Sequence, residues 1–272
     1  MISSSNSDRV VLNWDGRQQQ IEYRWVGCAD ASAPVLVFLH EGLGSVAMWR
    51  DFPHRLCMAC GLRGLVYSRP GYGRSTPRRP GERWGPDFMH RQARELLPAL
   101  LAALGVDQSQ PAPWLFGHSD GGSIALLYAA FAPDRVGGAI VLAPHILVEP
   151  VSVASIAQTR QAWQTTDLRD RLARYHDDPD SAFLGWNEVW LDPAFRSWDI
   201  RPELGAIGCP VLAVQGLEDE YGTLAQIRGI AERVAGTELL ELAGCGHSPH
   251  RDQPEALTRA VADFLARHRR AG

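Results

Sequence analysis

Residues 114–127 read Trp114-Leu115-Phe116-Gly117-His118-Ser119-Asp120-Gly121-Gly122-Ser123-Ile124-Ala125-Leu126-Leu127. An apolar, β-rich run ends in G-x-S-x-G-G, and an apolar helical pattern follows. Strand, sharp turn and helix in that order suit a serine held in a strained backbone conformation, its hydroxyl raised above a sheet. Neighbouring chain would clash with side chains two positions to either side, so Gly117 and Gly121 are small. The helix that follows aims free N–H groups and the positive end of its dipole at whatever Ser119 attacks. The N–H of Asp120 is then one expected oxyanion donor. His118 reads as a packed residue of the turn, not as a base.

Outward from this turn the chain alternates short apolar runs with helical patterns. Strands are expected at Val10–Trp14, Ile21–Val26, Val35–Leu39, Gly64–Ser68, Trp114–Phe116, Ala139–Ala143, Val211–Gln215 and Glu238–Leu242. Helices are expected near Met48–Cys60, Phe88–Leu104, Gly122–Phe131, Ala225–Val234 and Pro254–Arg269. The first strands follow one another as a meander. From Val35 onward strand and helix alternate, which predicts an α/β fold with a mostly parallel sheet covered on both faces. Residues 146–206 break the alternation with a polar, helical stretch holding Trp163, Trp186, Trp190 and Trp198, four of nine Trp. It is too long for a loop. The expected organisation is a core of residues 1–145 and 207–272 with a helical cap inserted at 146–206. Ile156, Arg160 and Trp163 share one helical face by spacing, and Phe183, Trp186 and Trp190 another.

A serine hydroxyl needs a base. Of nine His, His247 is the best placed, in Ala243-Gly244-Cys245-Gly246-His247-Ser248-Pro249 after the last strand. His250 is its rival. His145 follows the strand before the insertion and is expected to line the pocket. His40, His54, His90, His176 and His268 read as surface or satisfied buried residues. The base in turn needs a carboxylate to set its tautomer. Val211–Gln215 runs into Gly216-Leu217-Glu218-Asp219-Glu220, which offers Asp219 with Glu218 and Glu220 beside it. Ser119, Asp219 and His247 follow the chain order expected for this architecture.

Composition narrows the partners. The 272 residues carry 27 basic and 31 acidic groups, a formal net charge of −4, and every basic residue is Arg. Lysine Schiff-base chemistry is therefore excluded, and dispersed, mildly acidic charge does not fit a nucleic-acid binder. Five Cys is an odd number for a disulfide framework. Cys57-x-x-Cys60 has no second pair to complete a zinc site and reads as two packed thiols in a helix. MISSSNSDRV lacks the apolar core of a signal peptide, and no run of 18 apolar residues exists. A cytoplasmic protein without membrane attachment is expected. A homodimer stays open.

These motifs together resemble the α/β-hydrolase superfamily, in its members with a helical cap, over about residues 20–270. Leu39-His40-Glu41-Gly42-Leu43-Gly44-Ser45 is similar to the family's His-Gly oxyanion loop, followed by Trp49. Tyr67-Ser68-Arg69-Pro70-Gly71-Tyr72-Gly73-Arg74-Ser75 is similar to its D-x-x-G-x-G-x-S loop, and Gly244–Pro249 to its G-x-G-H segment. Two positions depart. Glu41 stands where the family has Gly, and Ser68 where it often has Asp. Counted from His40, Gly42 holds the second oxyanion donor; if Glu41 is an insertion, Leu43 does. Glu41 is either structural or a contact for a cationic substrate group.

The resemblance implies an eight-stranded α/β-hydrolase sheet and two-step acyl transfer without metal or organic cofactor. Ser119 would attack a carbonyl, His247 would take its proton, and water would release the acid. The Trp-rich insertion points to a small apolar or aromatic substrate, with Glu41, His145, Trp163, Trp186 and Trp190 lining its pocket. Arg69, Arg160 and Arg196 could hold a carboxylate but read as ordinary surface Arg. The expected activity is hydrolysis of a carboxylic ester, or a related thioester or lactone. C–C bond hydrolysis of ring-cleavage products is the alternative. A non-catalytic ligand receptor and a cofactor-free oxygenase are further readings of the same fold.

Overall fold

A computed structural model describes residues 7–106 and 111–269. Residues 1–6, part of the N-terminal stretch that lacks a signal-peptide pattern, lie outside the described residues. Eight strands form one sheet: β1 (Asp8–Trp14), β2 (Arg17–Gly27), β3 (Val35–Leu39), β4 (Arg63–Tyr67), β5 (Trp114–His118), β6 (Gly138–Leu142), β7 (Val211–Gly216) and β8 (Glu238–Leu242). Their spatial order is β1-β2-β4-β3-β5-β6-β7-β8. β2 runs antiparallel to both neighbours, and all pairs from β4 to β8 are parallel. β2 starts four residues before its expected beginning. Asp15 and Gly16 both adopt positive φ (53° and 67°), the signature of a tight hairpin, so pairing begins at once with Trp14↔Arg17.

Alternation along the buried strands builds two cores. Val35, Val37, Leu39, Leu115, Ala139 and Val141 face one side; Leu36, Phe38, Phe116, Ile140 and Leu142 face the other. The second core is closed by α1 (Phe52–Cys60), and the first by α2 (Phe88–Arg91), α3 (Leu97–Ala103) and α4 (Asp120–Phe131). α1 begins later than the expected Met48, because Arg50 takes a positive φ of 54° that no continuing α-helix allows. The expected helix over 88–104 is interrupted by a π-helical segment, Gln92–Leu96. Pro98 lacks an N–H and crowds the carbonyl four residues back, and the wider turn accommodates it.

Between β6 and β7 lie α5 (Pro150–Thr165), α6 (Leu168–Leu172), α7 (Pro179–Leu191), a 3₁₀ turn (Pro193–Ser197) and α8 (Arg201–Leu204). The chain enters and leaves this segment side by side, through the bridge Leu147↔Asp199 and the hydrogen bond from Ile200 N–H to Ile146 O. After β7 come α9 (Ala225–Ala231), α10 (Pro249–Asp252) and α11 (Pro254–His268), with α11 packed on the same core as α1. Cys57 and Cys60 lie in α1 as free thiols, and burial pushes both pKa values up. No helix among the described residues is long and apolar enough to cross a membrane.

Candidate active site

Ser119 joins β5 to α4 at φ 52°, ψ −121°. Such a conformation costs roughly 1–3 kcal/mol and persists only where its surroundings enforce it. Here they do. A Cβ on Gly117 would clash with Gly121 O, and one on Gly121 with Leu39 O. The Ser119 N–H donates to Leu142 O at 2.9 Å. The turn is thus wedged between β3 and β6, and helix α4 starts at the next residue.

On the loop after β8, His247 Nδ1–H donates to Asp219 Oδ1 at 2.8 Å. That bond leaves Nε2 as the atom free to take a proton. Asp219 also accepts from the Tyr221 N–H at 2.8 Å and from Gln215 Nε2 at 3.1 Å. Burial presses its pKa upward, but the imidazole and the amide outweigh burial and hold it below the usual carboxylate value. The flanking acids face elsewhere. Glu218 accepts from the Gly244 and Cys245 N–H groups (3.2 and 2.6 Å), and Glu220 from the His247 N–H (3.3 Å). His250, the alternative base, packs its ring 4.9 Å from both Trp49 and His118 and does not line the cavity. His118 Nε2–H donates to the carbonyl of His247 at 2.7 Å and so supports the loop from below.

Ser119 and His247 line one cavity of about 290 Å³. Among the described residues no hydrogen bond joins the Ser119 hydroxyl to the imidazole. In ligand-free sites such bonds are commonly long and tighten with substrate. Gly42, Leu43, Glu41, His145, Trp186 and Trp190 also line the cavity. Trp163 does not. It stacks on Phe183 at 4.0 Å and 6°, where α5 packs on α7. His145 is buried against Trp190, and burial followed by the nearby His247 drives its pKa down to about 3, so it stands as a neutral wall.

Glu41 is paired on both sides. One oxygen lies 3.5 Å from His118 Nδ1, the other 3.5 Å from the Arg251 guanidinium. Burial acts to raise its pKa, and His118 and Arg251 reverse that and hold it well below the usual value. Arg69 corrects a sequence expectation. It is not a surface residue but wholly buried, 3.6 Å from the equally buried Asp120 carboxylate. Asp120 also accepts from Trp190 Nε1–H at 3.1 Å. Arg160 and Arg196 are exposed, as expected.

Tyr221 and Glu22 escaped the sequence reading, and His176, read as a surface or satisfied buried residue, is buried with both ring nitrogens bonded. Tyr221 sets its ring 4.8 Å from His247; it follows the acid by two residues, which was the available signal. His176 ties the insertion to the core, accepting from the Gly73 N–H at 2.9 Å and donating to Leu43 O at 3.0 Å. Glu22 of β2 accepts from the Ser68 hydroxyl (2.7 Å) and the Arg74 N–H (2.9 Å). It thereby supplies from a neighbouring strand the carboxylate that position 68 lacks. Among the described residues no three His, Cys, Asp or Glu side chains converge as a metal site would need.

A sequence profile of the alpha/beta hydrolase family matches residues 36–260. The chain is 24% identical to the 2-hydroxy-6-oxo-6-phenylhexa-2,4-dienoate hydrolase of Burkholderia cepacia, over 98% of each chain. It is 26% identical to an esterase of Mycobacterium tuberculosis, over 89% of this chain and 85% of that one. The solved enol-lactonase of Burkholderia xenovorans LB400 matches with a TM-score of 0.71 at 24% identity, covering 94% of this chain and 100% of that one. The match begins in the first parallel strand and ends in the last helix, and on that evidence the chain belongs to the alpha/beta hydrolase family and is a hydrolase.

Proposed function

We propose that this hydrolase cleaves a carboxylic ester, or a related thioester or lactone, of a small apolar or aromatic substrate through an acyl-enzyme on Ser119. The observation that carries the reading is the strained Ser119 sharing a cavity with His247, whose far nitrogen is held by Asp219 at 2.8 Å. His247 Nε2 takes the hydroxyl proton as Oγ attacks the carbonyl carbon. The N–H groups of Asp120 and Gly42 receive the oxyanion, with Leu43 the alternative donor. His247 then protonates the leaving alcohol, and water activated by the same nitrogen releases the acid. The residues themselves complete this cycle.

The cavity supports the substrate class. Its volume is at the low end of ligand pockets, which run about 300–1,000 Å³. Ile156, Leu168, Leu172, Trp186 and Trp190 give it an apolar wall. C–C bond hydrolysis is the second reading, favoured by the name of the Burkholderia cepacia relative. An anionic dienoate would gain most from a cation that is not already paired. The guanidinium that lines this cavity is that of Arg251, already beside Glu41. The ester reading is therefore preferred. A panel of p-nitrophenyl acetate, butyrate and benzoate, a thioester, a lactone and a phenyl-substituted dienoate tests it. Turnover of the esters that disappears in Ser119→Ala is expected. Turnover of the dienoate alone would transfer the proposal to the C–C reading.

A further inference from the structure

Buried Arg69 has no part in the proton relay, yet it touches both halves of the expected oxyanion site. One of its nitrogens, Nη2, donates to the carbonyl of Glu41 at 2.8 Å and lies 3.6 Å from Asp120 Oδ2. The Glu41 carbonyl belongs to the same peptide unit as the Gly42 N–H. A trans peptide is planar, so its N–H points opposite to its C=O. Whatever pins the Glu41 oxygen therefore aims the Gly42 N–H.

Three donors pin that oxygen. Besides Arg69, the Gly44 N–H reaches it at 3.1 Å and His40 Nδ1 at 2.7 Å. His40 Nε2 accepts from the Arg69 N–H at 3.0 Å, which fixes the proton on Nδ1 and makes that ring a donor. Arg69 thus acts on the peptide twice, through its guanidinium and through the tautomer its backbone imposes. A carbonyl that accepts from a buried cation also polarises its own N–H, strengthening it as a donor. At the other end, the ion pair with Asp120 anchors the residue whose N–H is the second donor. Trp190 from the insertion holds the same carboxylate.

We propose that Arg69 is a positioning residue for the oxyanion site: it orients and polarises the Gly42 peptide and locks Asp120 to it. The inference rests on the acyl-transfer reading above. Its test separates the two. Arg69→Met combined with Asp120→Asn removes both buried charges and leaves neither unpaired. Four quantities are measured on wild type and variant. They are kcat and KM for p-nitrophenyl butyrate, the affinity of a trifluoromethyl ketone, and the affinity of the matching secondary alcohol. The ketone adds Ser119 Oγ to its carbonyl carbon and places the resulting alkoxide in the oxyanion site; the alcohol cannot.

In the folded double variant kcat and ketone affinity should fall together by about ten- to hundredfold, less than the ~10²–10³ that loss of a whole donor costs. KM and alcohol affinity should stay within about twofold. Arg69→Lys keeps the cation but replaces the planar guanidinium with a shorter-reaching, strongly hydrated ammonium. It should show the same paired loss, about three- to tenfold, and it decides the matter if the double variant does not fold. Unchanged ketone affinity, or a parallel loss of alcohol affinity, overturns the role of Arg69. A wild-type protein that neither binds the ketone nor turns over esters overturns the acyl-transfer reading, and this inference falls with it.

Discussion

Glu218, Asp219 and Glu220 divide the work of holding one loop: the middle acid takes the imidazole of His247, and its neighbours take backbone amides of residues 244, 245 and 247. Asp219→Asn should lower kcat/KM for p-nitrophenyl butyrate about 10³–10⁴-fold, through the wrong histidine tautomer. Glu218→Gln and Glu220→Gln keep an acceptor oxygen and should each cost less than about tenfold in the same assay. An equal loss in Glu220→Gln would move the acid by one residue. The sequence located this acid only to within its neighbours, because the direction of a side chain at a strand tip follows no period. Arg69 was misread for a related reason. Its burial comes from Glu41, Asp120 and Tyr72, which converge from separate segments. The pairing of Glu41 with Arg251 spans 210 positions and has no local signature.

The strands and the long helices were legible because hydrophobic period and buried faces coincide, as in the fully buried Val35–Leu39 and the amphipathic Pro254–His268. The starts at Phe88, Ala225 and Pro254 were legible too, but the late start of α1 and the break inside 88–104 were not, since Arg50 and Pro98 act through backbone geometry rather than pattern. The insertion shows the same division. Its helices were readable, but which Trp faces the cavity depended on how α5 packs on α7. Trp163→Ala should destabilise the fold by about 1–3 kcal/mol in urea unfolding, through the lost stack on Phe183. It should leave kcat/KM for small esters within about threefold. A large activity loss at unchanged stability would put that ring in the substrate site instead. Trp190→Phe keeps an aromatic ring but loses the N–H to buried Asp120 and part of the buried indole. Urea unfolding should show a cost of at least about 1.5–3 kcal/mol, the worth of a hydrogen bond to a charged group, with the lost volume adding to it.

Across the whole molecule, buried neutral histidines set the response to acid. His40, His145, His176 and His250 all have pKa values lowered below the ordinary 6.5, with burial the largest cause. In the unfolded chain each binds a proton near pH 6.5; in the folded chain each does so only at lower pH. The unfolded state therefore holds more protons, and stability falls as pH falls through this window. Asp219 and Glu41 have depressed pKa values, so their contributions are lost only below the ordinary carboxylate range. With its pKa at about 3, His145 alone accounts for a loss of about 2 kcal/mol at pH 5. Urea unfolding should show His145→Gln losing about that much less than wild type between pH 7 and pH 5. Equal losses in the two proteins would contradict a neutral His145. The central claim, that His247 makes the Ser119 hydroxyl nucleophilic, is tested most directly by mass spectrometry of the intact protein after exposure to a fluorophosphonate. The account predicts one adduct, mapped to Ser119, absent in Ser119→Ala and formed at least about 10²-fold more slowly in His247→Ala. An adduct at another residue, or undiminished ester turnover in Ser119→Ala, would contradict it.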